Sequence, residues 1–294
     1  VRDFQTSRGL FVSGECDEPT WLALVEASWS LGDRLLLLTS PNLRGDDVAE
    51  LQSTLGRLGF DCGRVDGILG PQTARALIDF QRNCGLNADG VCGVETTQAL
   101  RLLARQSGSG PGVAAVREIE TLRRAGSSLD GLRVVVGQFG GFGSLTRMVV
   151  HELRTRGAKV VTADEPEPAA QAAVANRFAA AVYLGFDARA EPQATIAYYA
   201  VPAFESAGGR ALATRLTGRF ASLSVGWALT PHAQGMRLPV LRETRMPAVL
   251  CSLGPVRQVV DHAATLADAV TDAVVDWVAE PLPTATTVRV PSPG

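Results

Sequence analysis

The chain of 294 residues carries 28 Lys and Arg against 30 Asp and Glu, a net charge of -2, and 46% of its residues are hydrophobic. A length of this order holds about two compact domains, and such an apolar content supports buried cores, so disorder is not the default. The balanced charge leaves no electrostatic footprint for nucleic acid, and the best apolar run, at 35–38, is far short of the roughly 18 residues of a membrane span. The five cysteines, Cys16, Cys62, Cys84, Cys92 and Cys251, are odd in number and form no CxxC pair. Spacing therefore argues against a zinc cluster, and parity excludes a complete disulfide framework; reduced thiols in a cytoplasmic protein are expected. The first residue is not Met and the chain opens inside a repeat, so an upstream piece is expected, and a signal segment there would instead imply the cell wall or secretion.

The N-terminal third repeats itself. Asp3-Phe4-Gln5 recurs as Asp79-Phe80-Gln81, Gly9-Leu10 as Gly85-Leu86, Gly14 as Gly90, and Cys16, Thr20 and Leu24 as Cys92, Thr96 and Leu100, every pair displaced by 76 positions. The complete copy, 45–104, reads as three helices. Asp46 or Asp47 can cap the first, whose Val48, Leu51, Leu55 and Leu58 follow the helical period. The turn Asp66-Gly67-Ile68-Leu69-Gly70 and Pro71 lead into a second helix with Ala74, Leu77, Ile78 and Phe80, and a second glycine turn, Asp89-Gly90 to Gly93, into a third with Thr96, Ala99, Leu100 and Leu103. The truncated copy, 1–28, lacks its opening helix, and 29–44 connects the two. Phe80, Leu77 and Leu55 read as core and the glycines as turn formers. The pattern from Asp47-Val48 and Leu51-Gln52 through Val65-Asp66-Gly67, Phe80-Gln81 and Asp89-Gly90 to Thr96 resembles the three-helix peptidoglycan-binding module. That resemblance implies affinity for muropeptide-like ligands without naming the side chains that touch one.

Residues 105–128 read as a Gly, Ser and Pro linker at 106–112 followed by a helix at 113–124. From 129 to 278 strands and helices alternate. Strands are expected at 133–136, 158–162, 181–184, 195–199 and 248–253. Helices are expected from Ser144 as a cap to Gly157, at 169–178 and 207–220, and as one closing helix at 262–278. The fold class is thus multidomain: all-α three-helix modules followed by an α/β domain covered on both faces. In the second domain, Gly157-Ala158-Lys159-Val160-Val161 and Val240-Leu241-Arg242-Glu243-Thr244 through Met246-Pro247-Ala248-Val249-Leu250 resemble zinc-dependent N-acetylmuramoyl-L-alanine amidases. The glycine turn at 137–143 and Ala175-Asn176 add to the likeness.

Hydrolysis of an amide by such a family needs three protein ligands on a metal, an open position for water and a carboxylate to move protons. The resemblance places the first ligand, a His, where Phe139 stands. The second, a Glu, belongs to a loop that is here only Phe142-Gly143-Ser144, and the third, a His, falls at Asp187. The catalytic Glu falls at Ser252. Phenylalanine cannot ligate zinc and serine is no general base at neutral pH. The three histidines, His151, His232 and His262, read as a solvated helix position, a loop residue after Pro231 and a helix start. The strand, glycine turn and helix start at 136–144 could cradle a phosphate, but no Lys-Ser/Thr ending or GxGxxG spacing supports it. Cys251 reads as a buried strand residue, not a nucleophile.

The tail, 279–294, is rich in Pro and Thr and reads as disordered, with Thr284, Thr286 and Thr287 as phosphorylation sites. The repeats, the degenerate amidase and this tail together resemble the actinobacterial amidase-like regulators of peptidoglycan synthesis. That resemblance implies a cytoplasmic, non-catalytic phosphoprotein that contacts a Ser/Thr kinase and UDP-N-acetylglucosamine enolpyruvyl transferase or another wall-synthesis protein, with peptidoglycan or its precursors as ligands. No cofactor is expected. The alternative is a zinc-dependent amidase with a rearranged site, and zinc enters only there.

Overall fold

The computed structural model describes residues 1–105, 112–223 and 230–282. Thr284, Thr286 and Thr287, and the expected linker apart from its ends, lie outside them.

The repeats are helical. The truncated copy supplies α1 (Arg2–Ser7) and α2 (Glu18–Ala27). The complete copy supplies α3 (Asp46–Arg57), α4 (Pro71–Asn83) and α5 (Val94–Ala104). A buried glutamine braces each turn between successive helices. Gln52 Nε2 donates to Asp66 Oδ1, to the Ile68 carbonyl and to Thr73 Oγ1 at 2.8–3.1 Å, while its Oε1 accepts from Gly67 N at 2.8 Å. Gln81 repeats this with Asp89, Val91, Thr96 and Gly90. Gln5 does so with Ser13, Glu15, Thr20 and Gly14. The amide thus ties a turn to the helix after it, and Gly67 and Gly90, at φ of 70° and 73°, give that turn its left-handed step. Around these braces Leu36, Val48, Leu51, Leu55, Leu77, Phe80 and Leu100 form one core. Phe60 meets Phe80 edge to face at 5.5 Å. In the truncated copy no described helix takes the place of α3, so Leu24 is 39% exposed where its counterpart Leu100 is fully buried.

The expected aspartate cap of α3 is corrected. Gly45 holds the N-cap position, and the Asp47 carboxylate turns to Arg34 (2.7 Å) and to the Val48 amide (2.8 Å). From the second position of the helix the carboxylate is shared between the half-buried Arg34 guanidinium and a first-turn amide, so it does not cap from outside.

The second domain is built on one sheet. Its strands are β1 (Arg133–Phe139), β2 (Lys159–Ala163), β3 (Val182–Ala188), β4 (Gln193–Val201), β5 (Phe204–Glu205), β6 (His232–Met236) and β7 (Ala248–Gly254). The order is β2-β1-β3-β7-β4-β5, with β6 on the other edge of β4. The first four are parallel, and β4 runs antiparallel to β7. Period-two alternation sends Val134, Val136, Val182, Leu184, Val249 and Cys251 to one face. There α7 (Gly143–Thr155), α9 (Ala207–Ala221) and α12 (Ala263–Ala279) cover them. Helix α6 (Val113–Arg124) joins this layer by packing on α9 and burying Leu122.

The opposite face carries Val135, Tyr183, Ala197, Tyr199 and Leu250. Two short helices, α8 (Pro168–Arg177) and α10 (Pro239–Glu243), cover part of it. The repeats cover more: Val65 belongs to the same cluster, and Phe11 and Ala49 pack against it. Tyr199 Oη donates to the Val65 carbonyl at 2.8 Å, and Arg242 Nη2 reaches the Gly67 carbonyl. Glu26 of α2 pairs with Arg242 (2.8 Å) and Arg237 (3.0 Å), at side-chain exposures of 12%, 9% and 10%.

One further expectation is corrected: His232 opens strand β6, because the edge of β4 offers it a partner at Thr195. The closing helix expected at 262–278 is α12, with His262 at its N-cap, and a short helix that the sequence reading did not place, α11 (Val256–Asp261), precedes it.

Two predictions follow from this packing. Gln81→Ala strands the Gly90 amide and leaves a void, and it should lower the unfolding free energy by about 3 kcal/mol. Exposed Gln98→Ala should change it by less than about 0.5 kcal/mol; equal effects in urea titrations would remove the brace as a cause. Glu26→Ala leaves two guanidinium groups at the seam short of a partner and should cost about 3 kcal/mol, read in the same titrations.

Candidate functional site

In open α/β sheets the carboxyl ends of parallel strands are where ligands are met. Here β1, β3 and β7 end in register, with Phe139 beside Asp187 and Asp187 beside Ser252. The row continues across the antiparallel strand to Thr195 and on to His232 of β6. All three positions singled out in the sequence are therefore brought together, on the face that the repeats cover.

The chain reaches this edge through Gly140 and Gly141, at φ of 72° and 71°. Gly137 below them is a packing glycine, since a Cβ there would overlap the Gln171 amide and the Tyr183 hydroxyl. The expected Ser144 cap is corrected: α7 starts at Gly143 behind Phe142, with no side-chain cap. Phe142 is fully buried and its carbonyl accepts from the Thr146 amide and hydroxyl, so burial of the ring fixes where the helix begins.

One oxygen of Asp187 is engaged by two neighbours. Ser252 Oγ donates to its Oδ2 at 3.0 Å, and Arg189 Nη2 lies 2.5 Å from the same oxygen. Burial raises the Asp187 pKa above the ordinary carboxylate value, and the Arg189 charge and then the Ser252 hydroxyl pull against that rise. Arg189 is packed on one face, its guanidinium carbon 3.9 Å from the centre of the Phe11 ring of the truncated repeat, and its side chain stays 32% exposed. A cavity of about 260 Å³ remains between Leu10, Phe11, Phe139, Asp187, Arg189 and Leu250.

These residues do not fit a three-ligand zinc centre: Phe139 offers no donor, and Asp187 is engaged by a cation and a hydroxyl. Among the described residues no group of three or more His, Cys, Asp or Glu converges to hold a metal. The histidines stand apart from one another. His151 is exposed on α7, His232 meets Thr195 Oγ1 at 3.2 Å, and His262 Nδ1 lies 2.9 Å from the Gln258 carbonyl. Cys251 points to the opposite face, and burial pushes its thiol pKa up to about 12, which leaves it un-ionised at neutral pH.

Reading the sequence missed Arg189 and Phe11. The first was accessible, because a cation two residues after a strand-end carboxylate is within reach of it. For the second, the 76-residue register places Phe11 opposite exposed Asn87, and a large ring where the other copy keeps a polar residue marks a contact.

Since the folded-state pKa of Asp187 is raised, its proton favours the folded protein. Its contribution is therefore present below the unfolded value, about 3.9, and is lost as pH rises through the folded value. Asp187→Asn should gain stability relative to the parent as pH rises from about 4 towards neutrality. Unfolding curves across that range check this, and a pH-independent difference would count against it.

Residues 44–100 match the family described as "Putative peptidoglycan binding domain". The chain is 49% identical over 139 residues to the N-acetylmuramoyl-L-alanine amidase CwlM of Mycobacterium tuberculosis, covering 46% of this chain and 34% of that protein. It is 50% identical over 56 residues to the spore cortex-lytic enzyme of Bacillus cereus, covering 19% of this chain and 22% of that one. The chain thus spans about a third and about a fifth of the lengths of these relatives. Among solved structures it is similar to the N-acetylmuramyl-L-alanine amidase Ami1 of Mycobacterium smegmatis, with 13% identity, a TM-score of 0.40 and coverage of 51% of this chain and 98% of that one. The chain is thus CwlM-like, a peptidoglycan-binding-type module joined to an amidase-like α/β domain.

Proposed function

We propose that this chain is a non-catalytic protein of peptidoglycan metabolism, which binds muropeptide-like ligands and regulates wall-precursor synthesis through protein contacts. One observation carries the reading: the carboxylate at the candidate catalytic edge is held through Oδ2 by Arg189 and Ser252, and Arg189 is in turn backed by Phe11. Amide hydrolysis needs a polarising group and a proton carrier free to meet substrate. Asp187 has one oxygen taken up by both neighbours, and the other carboxylate lining the cavity, Asp17, is engaged as the N-cap of α2 through Thr20. The module match supports the ligand class, and the relatives bear the names of wall-lytic enzymes.

The regulatory half of the proposal comes from the family resemblance. Phosphorylation of Thr284, Thr286 and Thr287 by a Ser/Thr kinase would add about -1.5 to -2 charges per site, enough to change what an arginine-bearing partner sees. UDP-N-acetylglucosamine enolpyruvyl transferase is the proposed partner and the cytoplasm the proposed compartment. No helix among the described residues is long and apolar enough to cross a membrane.

Purified chain supplied with zinc and incubated with peptidoglycan should take up no stoichiometric metal and release no peptide, while still sedimenting with the polymer. Stoichiometric zinc together with cleavage would replace this reading with that of a zinc-dependent amidase with a rearranged site, the reading that the name of the CwlM relative favours. Mass spectrometry of the tail from native cells, and the transferase rate with and without the phosphorylated chain, test the regulatory half.

A further inference from the structure

Two opposite charges at the seam between the complete repeat and the sheet are only half satisfied. Arg64, in the turn between α3 and α4, sends Nη1 to the Thr244 carbonyl and, at 3.5 Å, to the Leu241 carbonyl. Its guanidinium lies over the rings of Tyr199 (4.6 Å) and Phe204 (5.1 Å), contacts that fix the plane of the group. Its Nε and Nη2 are buried with no partner among the described residues. Those two N–H groups share one edge of the guanidinium, the edge that takes both oxygens of a carboxylate.

Glu118 faces the same cavity from α6. Its Oε1 accepts from Ser206 Oγ at 2.6 Å and from Gly208 N at 3.3 Å. Its Oε2 is buried and without a partner among the described residues. Burial lowers the Arg64 pKa, and the Glu118 charge is the largest influence opposing this, so the two groups feel each other without a direct ion pair. The nearby Arg117 is already joined to Asp61. The cavity that Arg64 and Glu118 both line holds about 530 Å³, with Ala114, Leu122, Met246 and Trp277 among its apolar walls. It lies at a domain boundary and within the size range of small-ligand pockets, about 300–1,000 Å³.

We propose that this cavity binds the zwitterionic end of a short peptide, in which one carbon carries both a carboxylate and an ammonium group. The carboxylate sits on the free edge of Arg64, the ammonium on Glu118 Oε2, and the aliphatic stem along the apolar wall. A simple anion is disfavoured because Glu118 would repel it, and a simple cation because Arg64 would. Only a group of both signs satisfies both orphaned edges. The choice of ligand rests on the muropeptide-binding reading above; the location of the site does not.

Calorimetric titration of the whole chain tests this with three peptides alike except at one side chain. The first ends that side chain in an amino acid bearing both charges, the second has its carboxylate amidated, and the third carries lysine there. The first should bind, and the other two at least tenfold more weakly. Arg64→Lys, which keeps the charge and loses the two-pronged edge, and Glu118→Gln should each weaken the first peptide by tenfold or more. The peptide comparison on the unaltered chain stands even where a variant unfolds. Equal binding of all three peptides, or an unchanged affinity in folded Glu118→Gln, overturns the proposal. Absence of peptide binding overturns it too. If the chain then still sediments with peptidoglycan, only this site falls; if it does not, the ligand-binding reading falls with it.

Discussion

A sheet whose central strands are apolar on both faces must be coated twice, and this chain coats only one face entirely from its α/β segment. Helices α7, α9 and α12 bury the first. On the second, α8 and α10 leave Tyr199, Phe204 and Met236 to be closed partly by Val65 from the complete repeat, with Phe11 and Ala49 packed alongside. The repeats are therefore part of the coat of the sheet. Because apolar contact is not directional, the seat is fixed by charge: Glu26 between Arg237 and Arg242, and Arg242 again on the Gly67 carbonyl. Such buried pairs add little net stability when complete and cost much when broken, so they set register more than strength.

That register reaches back to the glutamine braces. Gly67, whose carbonyl Arg242 grips, is the glycine held by Gln52 Oε1, and Val65, which enters the sheet cluster, lies two residues before it. The brace inside the module thus fixes the loop that the other domain reads.

Much of this was written locally. Alternation of two along the strands and of three to four along the helices places most elements, β5, β6, α10 and α11 excepted, and the 76-residue register exposes the repeat within the sequence itself. The errors share one cause. Asp47 left its helix cap for Arg34, Phe142 fixed the start of α7 in place of Ser144, and His232 became a strand because Thr195 was beside it. Each is a local preference overruled by a partner distant in sequence or by burial. The row of Phe139, Asp187 and Ser252 was legible because each residue ends a recognisable strand. Arg64 and Glu118 were not, since their significance lies in what they lack across a seam 54 positions wide in the chain.

The same logic explains why an aspartate persists at the candidate edge. A carboxylate at the end of a buried strand without compensation would be strongly destabilising. A bound cation could meet that demand; here Arg189, one residue past the end of β3, meets part of it with a charge that is permanent and covalently attached. Ser252 adds a hydrogen bond where a proton carrier would stand by family resemblance. The Phe11 ring then lies over the guanidinium face and adds a cation–π contact that helps hold it there. On the non-catalytic reading proposed above, the edge is neutralised from within the chain itself, and its groups would have to give up one another before any could attack, polarise or protonate a substrate.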